Sequence, residues 1–383
     1  LFTSGTTGVP KCIVHGAGGT LLQHKKEQLI HCDIKKDDKV FYFTTCSWMM
    51  WNWATSILSQ GATLMQYEGN PMYPKIDILF DIADECGMTF FGTSAKYLDT
   101  ILTSNIVPKD THNLKALRTI GSTGSPLCSE VCDFVYRSIK EDLHLNSFSG
   151  GTDIISSFCM GNPISPVYSG EMQGFGLGMN VKVYDANQKE MPIGQQGELT
   201  CVTPFASQPI KFWNDEGNAR FIKAYFKKFD NCWCHGDWLE KTEHDGVFIS
   251  GRADAVLNPS GVRIGTAEIY SQVQKVPEVL ECCAVGQKWD NDERIVLFVV
   301  LREGLTLDDD LKKKIKTVIR ENATPRHVPS KIIQVRGVPK TNNGKLSEIA
   351  VKNMIHGIDV VNKDSISNPE VLSEYVNIPE LQV

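Results

Sequence analysis

The run Thr3-Ser4-Gly5-Thr6-Thr7-Gly8-Val9-Pro10-Lys11 opens the 383-residue chain and sets the terms for everything after it. Glycines let backbone N–H groups turn toward one point with no Cβ in the way. The hydroxyls add donors, and Lys11 adds a mobile positive charge. Converging N–H groups of this kind form an anion-binding nest, which suits a polyphosphate. The Walker A loop is excluded, because it needs four residues between Gly and Gly-Lys, then Ser or Thr. Here Val9-Pro10 precede the lysine and Cys12 follows it. A shorter piece of this pattern would read as a Gly/Thr surface turn.

A loop of this type needs a scaffold, and the chain supplies an alternating one. Gly18 to Leu29 predicts a helix, and Val40 to Thr45 a buried strand. The aromatic cluster Trp48 to Trp53 follows, then another helix. Strands are expected at Gly61–Gln66, Met88–Phe91, Leu117–Ile120 and Leu143–Phe148, with a helix over Ile76–Glu85. Two of these strands run into Gly121-Ser122-Thr123-Gly124-Ser125-Pro126 and Ser149-Gly150-Gly151-Thr152-Asp153. Strands alternating with helices indicate an α/β fold with mostly parallel sheet. Ligand loops then belong at the carboxyl ends of the strands. From residue 181 to 250 short alternating strands suggest a β-rich part of the same large domain, residues 1–251. Residues 255–383 hold helices at Ile264–Lys275 and Asp308–Asn322 and three strands, enough for a small α+β domain. The tail from Ile358 reads as polar and surface-wrapping.

Composition narrows the partners. A net charge of -6 argues against a nucleic acid held by a basic surface. The longest apolar runs, such as Ile295 to Leu301, are too short to cross a bilayer. The twelve cysteines show no CxxC spacing and suggest reduced thiols in the cytosol. The chain begins at Leu1 without a methionine, and Leu1-Phe2 look like the end of a strand, so a truncated sequence is expected.

The nine-residue run resembles the phosphate loop of the adenylate-forming enzymes, which include acyl-CoA synthetases, luciferases and peptide-synthetase adenylation domains. Further motifs follow in that family's order. The resemblance implies that Thr3, Ser4, Gly5, Thr6, Thr7 and Gly8, with Gly124, Ser125 and Pro126, line the ATP site. Thr152-Asp153 matches a Thr-Glu pair, so Asp153, one methylene shorter, is implied as the Mg²⁺ ligand. Alone, that pair would be a helix N-cap. Asp237, in His235-Gly236-Asp237, is implied to bind the ribose hydroxyls, joined there by Arg252. Asp254 is the implied hinge between a large domain and a small mobile one. Ser260 and Gly261 are implied to line the CoA thiol tunnel, with Arg263 at the adenylate phosphate. Lys345 is implied to meet the reacting carboxylate and the α-phosphate, with Lys11 as a second catalytic cation. A basic residue usually follows that last motif, whereas Ser347-Glu348 stand here.

The resemblance thus implies an ATP-dependent acid–thiol ligase using ATP, Mg²⁺ and CoA. Acetate-activating members carry bulky residues where Gly150-Gly151 stand, so a larger acid is expected. Thr44 to Asn52 and the end segment resemble members that activate acetoacetate. Trp48 or Asn52 could then donate to a β-keto oxygen, although Trp48 reads equally as core packing. Trp53 reads as core. Gly150→Trp is expected to shift preference toward acetate. The rival readings are a short- or medium-chain acyl-CoA synthetase, a peptide-synthetase adenylation domain, and a nucleotide-binding fragment without turnover.

Overall fold

The computed structural model describes residues 1–3, 11–342, 344–360 and 362–382. Ser4, Gly5, Thr6, Thr7 and Gly8 of the glycine-rich loop lie outside the described residues. The described residues divide into two compact units. One comprises Leu1, Cys12–His235 and Glu240–Phe248. The other comprises Phe2–Lys11, Gly236–Leu239 and Ile249–Val383.

The first unit opens with β1 (Ile13–Val14), which pairs antiparallel with Lys211–Phe212. Its centre is a five-stranded parallel sheet of β2 (Lys39–Tyr42), β3 (Thr63–Met65), β4 (Phe90–Ser94), β5 (Thr119–Thr123) and β6 (His144–Ser147). Their order is β3-β2-β4-β5-β6, all parallel. That is a doubly wound order whose direction reverses between β2 and β4, where the carboxyl ends open a ligand crevice. Both faces of the sheet are buried, as parallel sheets require. Side chains alternate across it: Phe41, Phe91 and Ile120 pack with the helices Ile78–Cys86 and Ala95–Thr103. Val40, Tyr42 and Phe90 pack with Trp53 and Met50 of the helix Met49–Ser56. That helix begins inside the aromatic cluster rather than after it, because Met50, Trp53 and Ala54 share one buried face at helical spacing.

A short hairpin follows, β7 (Ser149–Gly151) against β8 (Ser156–Cys159). An antiparallel pair, β9 (Val181–Tyr184) and β10 (Gly197–Cys201), forms part of the expected β-rich stretch. β11 is the short partner of β1, Lys211–Phe212. β12 (Trp233–Lys241) and β13 (Val247–Arg252) complete it.

In the second unit, β14 (Val279–Trp289) and β15 (Asp292–Leu301) make a long hairpin, and β16 (Lys331–Gln334) joins β15 in parallel. Helices Thr266–Val273 and Asp309–Asn322 cover one face through Ile269, Val273, Ile315 and Ile319. Asp308 caps the longer helix by accepting from Leu311 N–H at 2.8 Å. The other face takes the helix Glu348–Ile355 and the tail. The tail corrects the expectation of a polar wrap, since Val371, Leu372, Tyr375, Ile378 and Leu381 are buried. Their 3₁₀ and turn spacing hides the apolar face from any helix or strand period.

The helix Ala17–Lys26 runs on into a π-turn, Glu27–His31, that places Glu27 and Gln28 inside. His15, His24, His31 and His144 all have pKa values pushed below 6.5, first of all by burial. The unfolded chain therefore binds more protons below pH 6.5 than the native one does, and stability must fall with pH there. Thermal melts are expected to lose midpoint steadily as pH drops from about 7 to 5, starting near the ordinary imidazole pKa. A flat midpoint over that interval would contradict the burial of these imidazoles.

No helix among the described residues is long and apolar enough to cross a membrane. The cysteines form no disulfide among the described residues.

Candidate active site

In the first unit the carboxyl ends of β2, β5 and β6 carry the expected ligand loops. After β2, Thr44 to Ser47 lead into Trp48, which precedes the helix Met49–Ser56. After β5 comes Gly124, and a Cβ there would stand 3.8 Å from the Trp48 ring. Sequence positions far apart thus meet, and Trp48 forms a wall beside the Gly124-Ser125-Pro126 turn. Trp48 is half-buried and leans on the core, as the packing reading expects. Trp53 is core, 2% exposed. The Asn52 amide donates to Met49 O at 3.4 Å within its own helix. Thr123 Oγ1 donates to Phe148 O at 2.9 Å and so ties the β5 loop to the strand end that presents Gly150 to Asp153.

The β7–β8 turn is held by bonds from several distant side chains. Ile155 adopts φ 49°, a left-handed conformation that is an outlier for a β-branched residue. Such strain persists only where the surroundings over-determine it. They do so here. His24 Nε2 donates to Ile155 O at 2.7 Å, and His15 Nε2 to Thr152 O at 3.3 Å. Tyr225 donates its hydroxyl to Asp153. Glu27 accepts from Ser157 N–H at 3.2 Å and from Ser156. Asp153 is therefore oriented by a phenol 72 residues away, for which the local sequence carried no signal. His15 was missed for the same reason.

Mg²⁺ takes one or two carboxylates plus phosphates and waters rather than an all-protein cage, so a single carboxylate such as Asp153 has the chemistry to hold it. The described residues contain no cluster of three or more metal-ligating side chains.

The glycine pair behaves unequally. A Cβ on Gly150 would fall 2.0 Å from Ser156 O and 2.5 Å from Ser157 Cα, both backbone. Gly150 is thus fixed by the close approach of β8, and Gly150→Trp would break the hairpin before it altered any pocket. That corrects the expectation for this substitution. A Cβ on Gly151 would meet the His235 ring at 3.4 Å, an ordinary contact.

In the second unit three motifs converge. Arg252 Nη1 donates to Asp237 Oδ1 at 3.1 Å, and its Nε lies 3.7 Å from Asp254 Oδ1. Ala253 N–H donates to Gly236 O at 2.8 Å, which locks the two segments together. The Arg263 guanidinium stands 4.7 Å from the centre of the Trp238 ring, a cation–π contact. Asp237, Arg252, Asp254 and Arg263 thus occupy one neighbourhood. Asp237 is buried, whereas Arg252 and Arg263 are exposed. Trp238, which joins the third motif to the others, was not singled out from the sequence.

The two lysines share one backbone device. Thr3 N–H donates to Lys11 O at 3.1 Å, and Lys11 N–H to Thr3 Oγ1 at 3.0 Å. Thr341 N–H donates to Lys345 O at 2.8 Å, and Lys345 N–H to Thr341 Oγ1 at 3.1 Å. In each pair the threonine engages both the N–H and the carbonyl of the lysine and so anchors its backbone. Ser260 and Gly261 sit at the tip of the loop Asn258 to Arg263, both with positive φ, 52° and 79°.

The chain is similar to known proteins. Residues 1–208 match the family model "AMP-binding enzyme", and residues 268–345 match "AMP-binding enzyme C-terminal domain". The acetoacetyl-coenzyme A synthetase of Rhizobium meliloti is 52% identical over 383 residues, covering 100% of this chain and 59% of that protein. The mouse acetoacetyl-CoA synthetase is 47% identical over 384 residues, covering 100% of this chain and 57% of its own length. The solved acetoacetyl-CoA synthetase of Streptomyces lividans superposes with a TM-score of 0.93 at 38% identity, covering 100% of this chain and 59% of that one. The chain thus spans about three fifths of the length of the curated relatives it matches. With the doubly wound sheet, the ordered motifs and a family model covering more than half its length, the chain belongs to the AMP-binding, adenylate-forming enzyme family.

Proposed function

We propose that this chain carries the acid- and nucleotide-handling residues of an ATP-dependent acid–thiol ligase. Its reaction is acetoacetate, ATP and CoA to acetoacetyl-CoA, AMP and diphosphate. The observation that carries the reading is the convergence of Asp237, Arg252 and Arg263. A carboxylate beside a guanidinium can accept from two vicinal ribose hydroxyls while the cations face phosphate. The similarity to acetoacetyl-CoA synthetases supports the choice of acid.

In the first step a carboxylate oxygen of the acid attacks the α-phosphorus and diphosphate leaves. Negative charges gather, and Lys345, Lys11 and Arg263 offset them. Asp153 would hold Mg²⁺, which when bound neutralises phosphate charge. In the second step the CoA sulfur attacks the acyl carbon, its proton is lost, and the C–O bond to AMP breaks. The narrow loop at Ser260-Gly261 admits the pantetheine arm. Thr3 to Gly8, Gly124, Ser125, Pro126 and Thr152 are the proposed ATP-contacting residues. Asp254 is the proposed hinge between residues 1–251 and 255–383. Trp48, Asn52 and Gly151 are the proposed walls of the acid pocket. Twelve cysteines that form no disulfide among the described residues support a reducing compartment, the cytosol.

Acid-dependent diphosphate release, measured with acetate, butyrate and acetoacetate, tests this. Acetoacetate should give the highest kcat/KM. Gly151→Val, which meets only an ordinary contact at its Cβ, should move the ratio toward acetate by about tenfold. Equal use of butyrate and acetoacetate would favour a general short-chain ligase. No acid-dependent release would sink the ligase reading.

A further inference from the structure

The loop Asn258 to Gly261 is exposed and holds an unfavourable backbone. Ser260 sits at φ 52°, which L-residues other than Asn and Asp seldom adopt. Nothing within the loop explains why it stays there. The explanation lies 32 residues downstream, at the tip of the β14–β15 hairpin.

Asp290 and Asn291 form that tip, with φ 48° and 60°. Positive φ at both central residues marks the type I′ turn that matches strand twist. The next two residues reach back to the loop. Asp292 accepts from Ser260 N–H at 2.9 Å and 3.0 Å, one oxygen each, and from Ser260 Oγ at 2.9 Å. Glu293 accepts from Asn258 N–H at 2.6 Å. Glu293 has room to do so because position 286 is glycine. A Cβ on Gly286 would lie 2.1 Å from the Glu293 carboxyl carbon. Lys352 Nζ, 3.4 Å away, flanks the same carboxylate. The Glu293 N–H, and after it the Ser260 hydroxyl and N–H, hold the Asp292 carboxyl below its ordinary pKa.

Two carboxylates thus grip alternate N–H groups of one loop. The base of the loop is closed separately, by paired bonds of 2.9 Å between Leu257 and Ile264. Arg263 is held separately too, over Trp238. The grip therefore acts on the tip alone.

We infer that Asp292 and Glu293 are positioning residues for the thiol-admitting loop, and that they govern thioester formation while leaving adenylate formation alone. The inference rests on the ligase reading above and adds to it the device that shapes the CoA path. Without the Asp292 carboxylate Ser260 relaxes toward negative φ, and Gly261 swings across the space the pantetheine arm needs.

The test separates the two half-reactions in the full chain. Acid-dependent exchange of labelled diphosphate into ATP reads the first. Consumption by CoA of pre-formed acyl-adenylate, in a single turnover, reads the second. Asp292→Ala should leave exchange within about twofold and slow thioester formation about tenfold, equivalent to about 1.4 kcal/mol. The KM for CoA should rise. Asp292→Asn, which keeps an acceptor oxygen, should fall between. Gly286→Ala, which evicts the Glu293 carboxylate, should match Glu293→Ala. Equal loss of both half-reactions would assign these residues a merely structural role and overturn the inference. So would thioester formation that none of the variants changes while exchange persists. Absence of exchange in the unmodified protein would instead remove the ligase reading itself, and this inference with it.

Discussion

Lys345→Ala should slow acid-dependent diphosphate exchange by about 10²–10³, the usual worth of one well-placed charge contact to a transition state. The proposed reaction brings a carboxylate against a triphosphate, so offsetting charge would be the main demand on the protein. Under the proposed function Lys345 supplies part of that charge, and its backbone is anchored. Both its backbone N–H and its carbonyl are engaged by Thr341, which is 1% exposed. A lysine on a free loop would spend rotational entropy on each turnover, whereas this one departs from a fixed point. Consumption of pre-formed adenylate by CoA should be nearly unchanged in the same variant, because no phosphate charge builds up in that step. Lys345→Arg should recover part of the exchange rate. Exchange within about threefold of the unmodified protein would remove Lys345 from the first step.

Glu27→Ala should cost about 3–5 kcal/mol of stability, read as a fall in denaturant midpoint at unchanged slope. Glu27 is 0% exposed. It accepts from Trp53 Nε1 at 2.9 Å, Gln23 Nε2 at 3.0 Å and Ser157 N–H at 3.2 Å, and also from Ser156. Lys26 Nζ lies 3.9 Å from it, with its pKa lowered by burial. Removing the carboxylate strands several buried donors at once, and each unsatisfied one costs about 1–3 kcal/mol. The same carboxylate joins the helix after Trp48 to the hairpin that carries Gly150 to Asp153. Glu27→Gln, which keeps the size and one acceptor, should lose less. A loss under about 1 kcal/mol for the alanine variant would mean that water replaces the carboxylate, against the burial seen here.

Much of this architecture was readable in advance. The parallel strands were legible because a strand buried on both faces is a continuous apolar run, as in Val40-Phe41-Tyr42 and Met88 to Phe91. The long helix at Asp309–Asn322 announced itself by its cap and its period. Gly150 was read as open space, yet its missing side chain is demanded by β8 passing over it. The buried tail was read as polar because its apolar residues follow no single period.

The order and chemistry of the motifs are properties of the chain itself. Residue type and short spacing decide which loops can bind phosphate, which carboxylate can face a ribose, and which lysine can meet an anion. Those are local matters, carried by a few bonds. Which groups hold the motifs in place is a long-range matter. Tyr225 reaches Asp153, Trp238 lies under Arg263, and Asp292 grips Ser260, each across a span that leaves no periodic trace. Only folding, by bringing distant strands to one edge, chose those partners.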